Sequence, residues 1–177
     1  MFGNKKEGRI TFYYDKNKLF DEISGLSAYM VKSNAEEAGP ALDVFAITDD
    51  ERDIVENCME KTCLNVYDML VKISPKTAYM FDFNVVVRDQ EMEGLTREEG
   101  EYIEFTILDN KAYNYNSLAL ADGVIDECIK YGTLSSFYSI NVSAPLQKLA
   151  QDKFASNLLL LEQRLFPLKK KQMISLL

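Results

Sequence analysis

The chain has 177 residues, 47% of them hydrophobic and 27% charged, with 20 Lys and Arg against 28 Asp and Glu for a net charge of -8. That is enough for one domain with a sizeable core, while the acidic balance disfavours wrapping a nucleic-acid backbone, an affinity that comes from neutralising phosphates with Lys and Arg. Histidine is absent, which excludes Ser-His, Cys-His and His-zinc mechanisms, because His is the commonest general base and metal ligand near neutral pH.

Met1 to Phe12 contains Lys5 and Lys6 with no following apolar stretch, so no secretory signal is expected. No run approaches the roughly 18 apolar residues of a membrane span. Arg9 to Asp15 alternates, with Ile10, Phe12 and Tyr14 on one side, and predicts a short strand that joins a sheet formed later. From Leu19 to Ser33 the residues Leu19, Ile23, Leu26 and Met30 step by four, three and four, with Phe20, Ser27 and Val31 alongside, which predicts a helix with one buried stripe. Gly39-Pro40 forbids its continuation.

Thr48-Asp49-Asp50-Glu51 is a capping box with extra acids at the positive helix end, so a long helix starts there. Val55, Met59, Thr62, Val66, Met69 and Ile73 recur as one stripe until Ser74-Pro75, expected to be the core-facing stripe of a bundle. Three cysteines, Cys58, Cys63 and Cys128, cannot all pair and show no CxxC spacing, which points to a reducing compartment and to buried apolar thiols.

Tyr79 to Arg88 and Tyr102 to Leu108 alternate in the manner of strands and predict a hairpin with a long acidic tip, Asp89 to Gly100. A connection of that length without core residues is functional or disordered, and on the functional reading Glu91, Met92, Glu93 and Leu95 are its candidate contacts. A third helix opens at Asn114 or Asn116, carries Leu120, Ala121, Val124, Ile125, Cys128 and Ile129 on one face and ends between Tyr138 and Asn141. Gly123 and Gly132 cost that helix stability, and close packing against a neighbour would explain them. Ser143-Ala144-Pro145 starts a last helix with Leu146, Leu149, Phe154, Leu158, Leu161 and Leu165 as its stripe, closed by Pro167. Leu168 to Leu177 remains as a basic and then apolar tail.

The acids Glu91, Glu93, Glu98, Glu99, Glu101 and Glu104 lack the ligand register of a calcium loop, and Asp49, Asp50, Glu51 and Asp53 are accounted for by helix capping. There is no glycine-rich phosphate loop and no GxSxG elbow. The aromatic residues Tyr13, Tyr14, Tyr79, Phe81, Phe83, Tyr113 and Tyr115 have no interleaved Arg or Lys, which favours core or interface roles over base stacking. Catalysis is not expected, nor is any cofactor or metal. Binding and assembly are.

The order of elements, the phrase Val44 to Arg52 ahead of the long helix, and the ending Arg164-Leu165-Phe166-Pro167 followed by lysines together resemble the head-tail connector proteins of tailed bacteriophages. These neck or adaptor ring proteins are resembled most closely in the versions from phages of gut Bacteroidales. The resemblance covers about Ala41 to Lys171, and the strand Arg9 to Asp15 departs from the minimal helical pattern of that family. It implies a structural virion protein, assembled in the host cytoplasm, that forms a homo-oligomeric ring, expected as a dodecamer. Such a ring joins the portal protein to neighbouring neck or tail proteins, and DNA passes through it without specific binding.

The expected fold is α+β, mainly α: a bundle of about four helices, with a hairpin between the second and third and an extra N-terminal strand. Residues 1–167 are expected to form one domain, with 168–177 as the tail. Under the resemblance, Val55, Met59, Val66, Met69, Val124 and Cys128 supply packing between subunits. Lys169, Lys170, Lys171, Met173, Ile174, Leu176 and Leu177 dock a partner. The alternative is a non-catalytic adaptor that binds one protein through the hairpin edge or the tail. A third reading, an enzyme using carboxylates, would rest on Asp82, Glu101 and Glu104.

Overall fold

The computed structural model describes residues 9–38, 45–73, 78–87, 91–92, 95–96, 99–108, 115–141 and 143–165. Strand β1 (Arg9–Asp15) runs straight into helix α1 (Lys16–Ala38), and a single 3-10 turn at Asp49–Glu51 leads into α2 (Arg52–Ile73). Strands β2 (Ala78–Val87) and β5 (Gly100–Leu108) enclose the short strands β3 (Glu91–Met92) and β4 (Leu95–Thr96), and α3 (Tyr115–Ile140) and α4 (Ala144–Leu165) follow. The chain is therefore α+β and mainly helical, with the hairpin between the second and third helices and a strand ahead of them all.

Three strands form an antiparallel sheet in the order β1-β5-β2. The N-terminal strand pairs with the second strand of the hairpin, so that Ile10, Phe12 and Tyr14 lie opposite Ile107, Phe105 and Ile103. On the other side Tyr79 and Phe81 lie opposite Ile107 and Phe105. Because side chains alternate across a strand, these residues share one face, and it is the face the helices cover. Phe105 packs on Phe81 with ring centroids 5.0 Å apart and meets Tyr14 edge-on at 6.2 Å. Phe81 in turn packs on Tyr67 of α2 at 5.8 Å. A ladder of aromatic rings thus joins all three strands to a helix.

Helix α3 is the hub, packing against α1, α2 and α4. The expected α2 stripe faces the core through Val55, Met59, Thr62 and Val66, all buried, with Cys58, Cys63 and Leu70 beside it. Leu70 is in the core, whereas Met69 is only half-buried. The reason is that β2 covers a second flank of α2: Tyr67 stacks on Phe81 and donates to the Tyr79 carbonyl at 3.5 Å, and Leu70 lies toward that flank. Two further stripe positions are corrected. Leu120 is 49% and Leu149 37% exposed, and in α4 the next residue, Ala150, takes the buried place.

The two α3 glycines differ. A Cβ on Gly132 would lie 2.4 Å from Thr62 Cγ2 and 2.9 Å from Phe154 Cε2, so α2, α3 and α4 meet closely there, whereas nothing lies within 4 Å of a Cβ on Gly123. Close packing explains the first glycine and not the second. A further junction is polar: Ser27 of α1 accepts from the Ile47 amide at 3.1 Å and from the Tyr138 hydroxyl at 3.0 Å, and donates to the Phe45 carbonyl at 3.3 Å. This ties the segment before α2 to α1 and α3.

At the start of α2, the Glu51 carboxylate accepts the Thr48 amide at 2.8 Å and also bonds the Thr48 hydroxyl. These bonds hold the Glu51 carboxyl below its ordinary pKa. A carboxyl with a depressed folded-state pKa stabilises the fold above its ordinary value, and that contribution is lost as pH falls through the folded-state value. Exposure keeps it small. Thr48→Ala is expected to lower unfolding free energy by about 1 kcal/mol, measured by urea denaturation near neutral pH, with the deficit narrowing below the Glu51 pKa.

Candidate assembly surfaces

A buried lysine fastens the hairpin near the tip-side end of its pairing in the three-stranded sheet. Asp15 ends β1 and its Oδ1 accepts the Lys18 amide at 3.0 Å, capping α1, so that Lys16 stands at the junction of strand and helix. Lys16 is 5% exposed; its Nζ donates to Asn84 Oδ1 and to Glu101 Oε2 at 3.3 Å, and lies 4.2 Å from the centre of the Phe83 ring. Amide oxygen, carboxylate and ring face together satisfy an ammonium that would otherwise be costly to bury. Asn84 sits in the irregular stretch of β2 between Asp82 and Val85, where the register against β5 shifts. The extra residue there raises the local twist, and Lys16 holds the twisted segment to the start of α1.

Beyond this clasp the hairpin continues as a separate two-stranded ladder, with Glu91 opposite Thr96 and Met92 opposite Leu95. Among the described residues this ladder pairs only with itself. It places the backbone of Glu91, Met92 and Leu95 on an arm beyond the three-stranded sheet; Glu93 lies outside the described residues. The docking residues Lys169, Lys170, Lys171, Met173, Ile174, Leu176 and Leu177 also lie outside them, as do Gly39-Pro40, Ser74-Pro75 and Pro167.

The residues expected to pack between subunits occupy other places. Val55, Met59, Val66 and Cys128 are each 0% exposed within the single chain, so they are core residues and have no surface to offer a neighbour. Met69 and Val124 are half-buried. Periodicity finds a buried stripe but cannot say whether the chain itself or a second copy covers it, and here α3 and the sheet cover it. Apolar surface is found elsewhere, at Leu64 and Val71 of α2, Met80 and Val86 of β2, and Leu159 and Leu160 of α4, all at least one-third exposed.

The carboxylates have structural partners. Asp82 Oδ1 accepts the Asn84 amide at 2.9 Å, Glu104 Oε1 accepts from Thr106 Oγ1 at 2.7 Å, and Glu101 faces Lys16. Lys130 gathers Asp126 and Glu127 at 2.7 Å each and Glu22 of α1 at 3.3 Å. Burial alone would lower the Lys130 pKa, but the hydrogen bonds to Asp126 and Glu127 outweigh it and raise it, so the lysine stays charged and links α1 to α3. Burial raises the Asp126 carboxyl, with Lys130 opposing. Tyr14 donates from its hydroxyl to Asp122 Oδ1 at 2.9 Å, and burial followed by the Asp122 charge pushes its pKa well up. Neither long-range contact, Tyr14 to Asp122 or Lys130 to Glu22, was visible in the sequence, since each joins elements more than 100 residues apart; the pairs of Lys130 with Asp126 and Glu127 are local to α3.

All three cysteines are buried and free. Burial raises the Cys58 thiol, pushes Cys128 up to about 12 and Cys63 further still. A thiol held protonated is a poor nucleophile. The cysteines are expected to react with Ellman's reagent at once in guanidinium and only at the rate of unfolding in native buffer; a fast native phase would contradict the burial. Among the described residues no group of His, Cys, Asp and Glu is placed to hold a metal, and no helix is long and apolar enough to cross a membrane.

No protein-family model, curated protein or solved structure matches this chain.

Proposed function

We propose that this chain is a structural subunit of a tailed-phage neck, forming a homo-oligomeric ring that joins portal to tail around the DNA channel. The observation that carries this reading is the arm, β3 and β4, which continues the hairpin past the three-stranded sheet and, among the described residues, pairs only with itself. An arm of this kind serves contact with something outside its own domain. Two further features support it. Exposed apolar side chains lie on unlike elements, α2 and β2, as head-to-tail contact between copies requires. The net charge of -8 would let a duplex slide through a ring, the reverse of the counterion-releasing grip of a DNA binder.

The chain is expected at ring stoichiometry in purified virions, by quantitative mass spectrometry and imaging of the neck. A stable monomer with a single cellular partner, missing from virions, overturns the reading. Replacing residues 89–98 by a two-residue Asn-Gly turn is expected to leave thermal unfolding within a few degrees and to abolish incorporation into particles; unchanged incorporation removes the arm from assembly. The adaptor reading is favoured by one observation, the ten-residue outer strand β2 with Met80 and Val86 exposed, an edge to which a partner strand could add. Glu substitution at both positions would then abolish binding of that one partner.

A further inference from the structure

Leu158 to Leu161 occupy four successive positions of α4, and a helix turns about 100° per residue, so they point in four directions. Leu161 is in the core and Leu158 half-buried, but Leu159 is 59% and Leu160 39% exposed. A helical turn apolar on every side belongs to a helix covered on every side. We infer that residues 168–177 of the same chain cover it, laying Met173, Ile174, Leu176 and Leu177 over Leu159 and Leu160.

Charge, reach and tethering support that occupant. Of the 20 basic residues, Lys169, Lys170 and Lys171 lie in the tail, which has no acid; the remaining 17 face 28 acids in residues 1–167, a net of -11. The tail and the rest of the chain are opposite in sign. Asp152 and Glu162, both exposed, stand seven before and three after Leu159, while Lys153 and Arg164, also exposed, stand seven before and four after Leu160, so the opposition of sign belongs to the chain as a whole and not to α4. The three lysines follow the C-terminal end of α4, where the helix dipole favours cations. Pro167 follows the described end of α4 by two residues and is disfavoured within a helix. Leu159 lies roughly 9 Å back along the axis from Leu165, whereas the eight residues from Phe166 to Met173 can span roughly 27 Å. So short a tether gives an effective concentration in the millimolar range, which favours the chain's own α4 over that of another copy. The inference stands apart from the ring reading and would survive its failure.

The test is limited trypsin digestion of the full chain, with cleavage after Lys169, Lys170 and Lys171 followed by intact mass. Leu159→Ser/Leu160→Ser is expected to speed that cleavage on the order of tenfold, with the helical melting curve unchanged. Met173→Ser/Ile174→Ser is expected to do the same from the tail side. Equal rates in all three proteins overturn the inference. So does protection that is lost on hundredfold dilution, which assigns the tail to a second copy, or protection that appears only when duplex DNA is added, which assigns the lysines to phosphate.

Discussion

Phe105→Ala is expected to lower the unfolding free energy by about 3–5 kcal/mol, the range for truncating a fully buried aromatic side chain. Phe105 is 1% exposed on the middle strand, with Phe12 opposite it in β1 and Phe81 opposite it in β2. Its ring is the one that touches both Phe81 and Tyr14. Truncation removes the apolar contact joining the N-terminal strand to the hairpin, and the cavity cannot collapse easily because three strands and a helix surround it. In a chain of this length the change corresponds to a fall in Tm of roughly 10 °C, measurable by circular dichroism. Phe81→Ala is expected to cost less, because Phe81 is only half-buried. A loss below about 1 kcal/mol for Phe105→Ala would mean that the strand register is wrong.

Gly132→Ala is expected to destabilise by about 1–3 kcal/mol, while Gly123→Ala stabilises by about 0.5–1 kcal/mol. Alanine is the better helix former at both positions, so propensity alone predicts stabilisation twice. At Gly132 the added methyl would meet Thr62 Cγ2 at 2.4 Å and the Phe154 ring at 2.9 Å. Thr62 has little freedom to turn aside, since it is buried and its hydroxyl is bonded to the Cys58 carbonyl at 2.9 Å; the overpacking therefore outweighs the helix gain. Thr62→Ser removes the obstructing methyl and is expected to recover part of the loss in the Gly132→Ala background. Stabilisation by Gly132→Ala would show that the three helices are farther apart than described.

Much of the architecture was legible because it depends on local periodicity and stop signals. Alternation at Ile10, Phe12 and Tyr14 marked β1, and Thr48 with Glu51 marked the start of α2. The chemistry of a three- or four-residue window is enough for such features. Which apolar positions become core was less legible. Met69, Leu120 and Leu149 fit their stripes, yet Leu70 and Ala150 are the buried residues, because neighbouring elements, not helix phase, decide where a flank is covered. The contacts of Lys16 with Asn84 and Glu101 and of Lys130 with Glu22 could not be read at all, since those partners come from distant elements, whereas the Lys130 pairs with Asp126 and Glu127 lie within one turn of α3.

The sequence by itself determined the helices, the inserted hairpin, the order of elements and the absence of every histidine mechanism, because propensity, capping and composition are properties of nearby residues or of none in particular. Only the tertiary structure decided that the α2 stripe is filled from within the chain, that Gly132 and not Gly123 is held by packing, and that Leu159 and Leu160 are left uncovered by the described residues. Those outcomes depend on which distant surfaces meet, and contact across a hundred residues leaves no local mark.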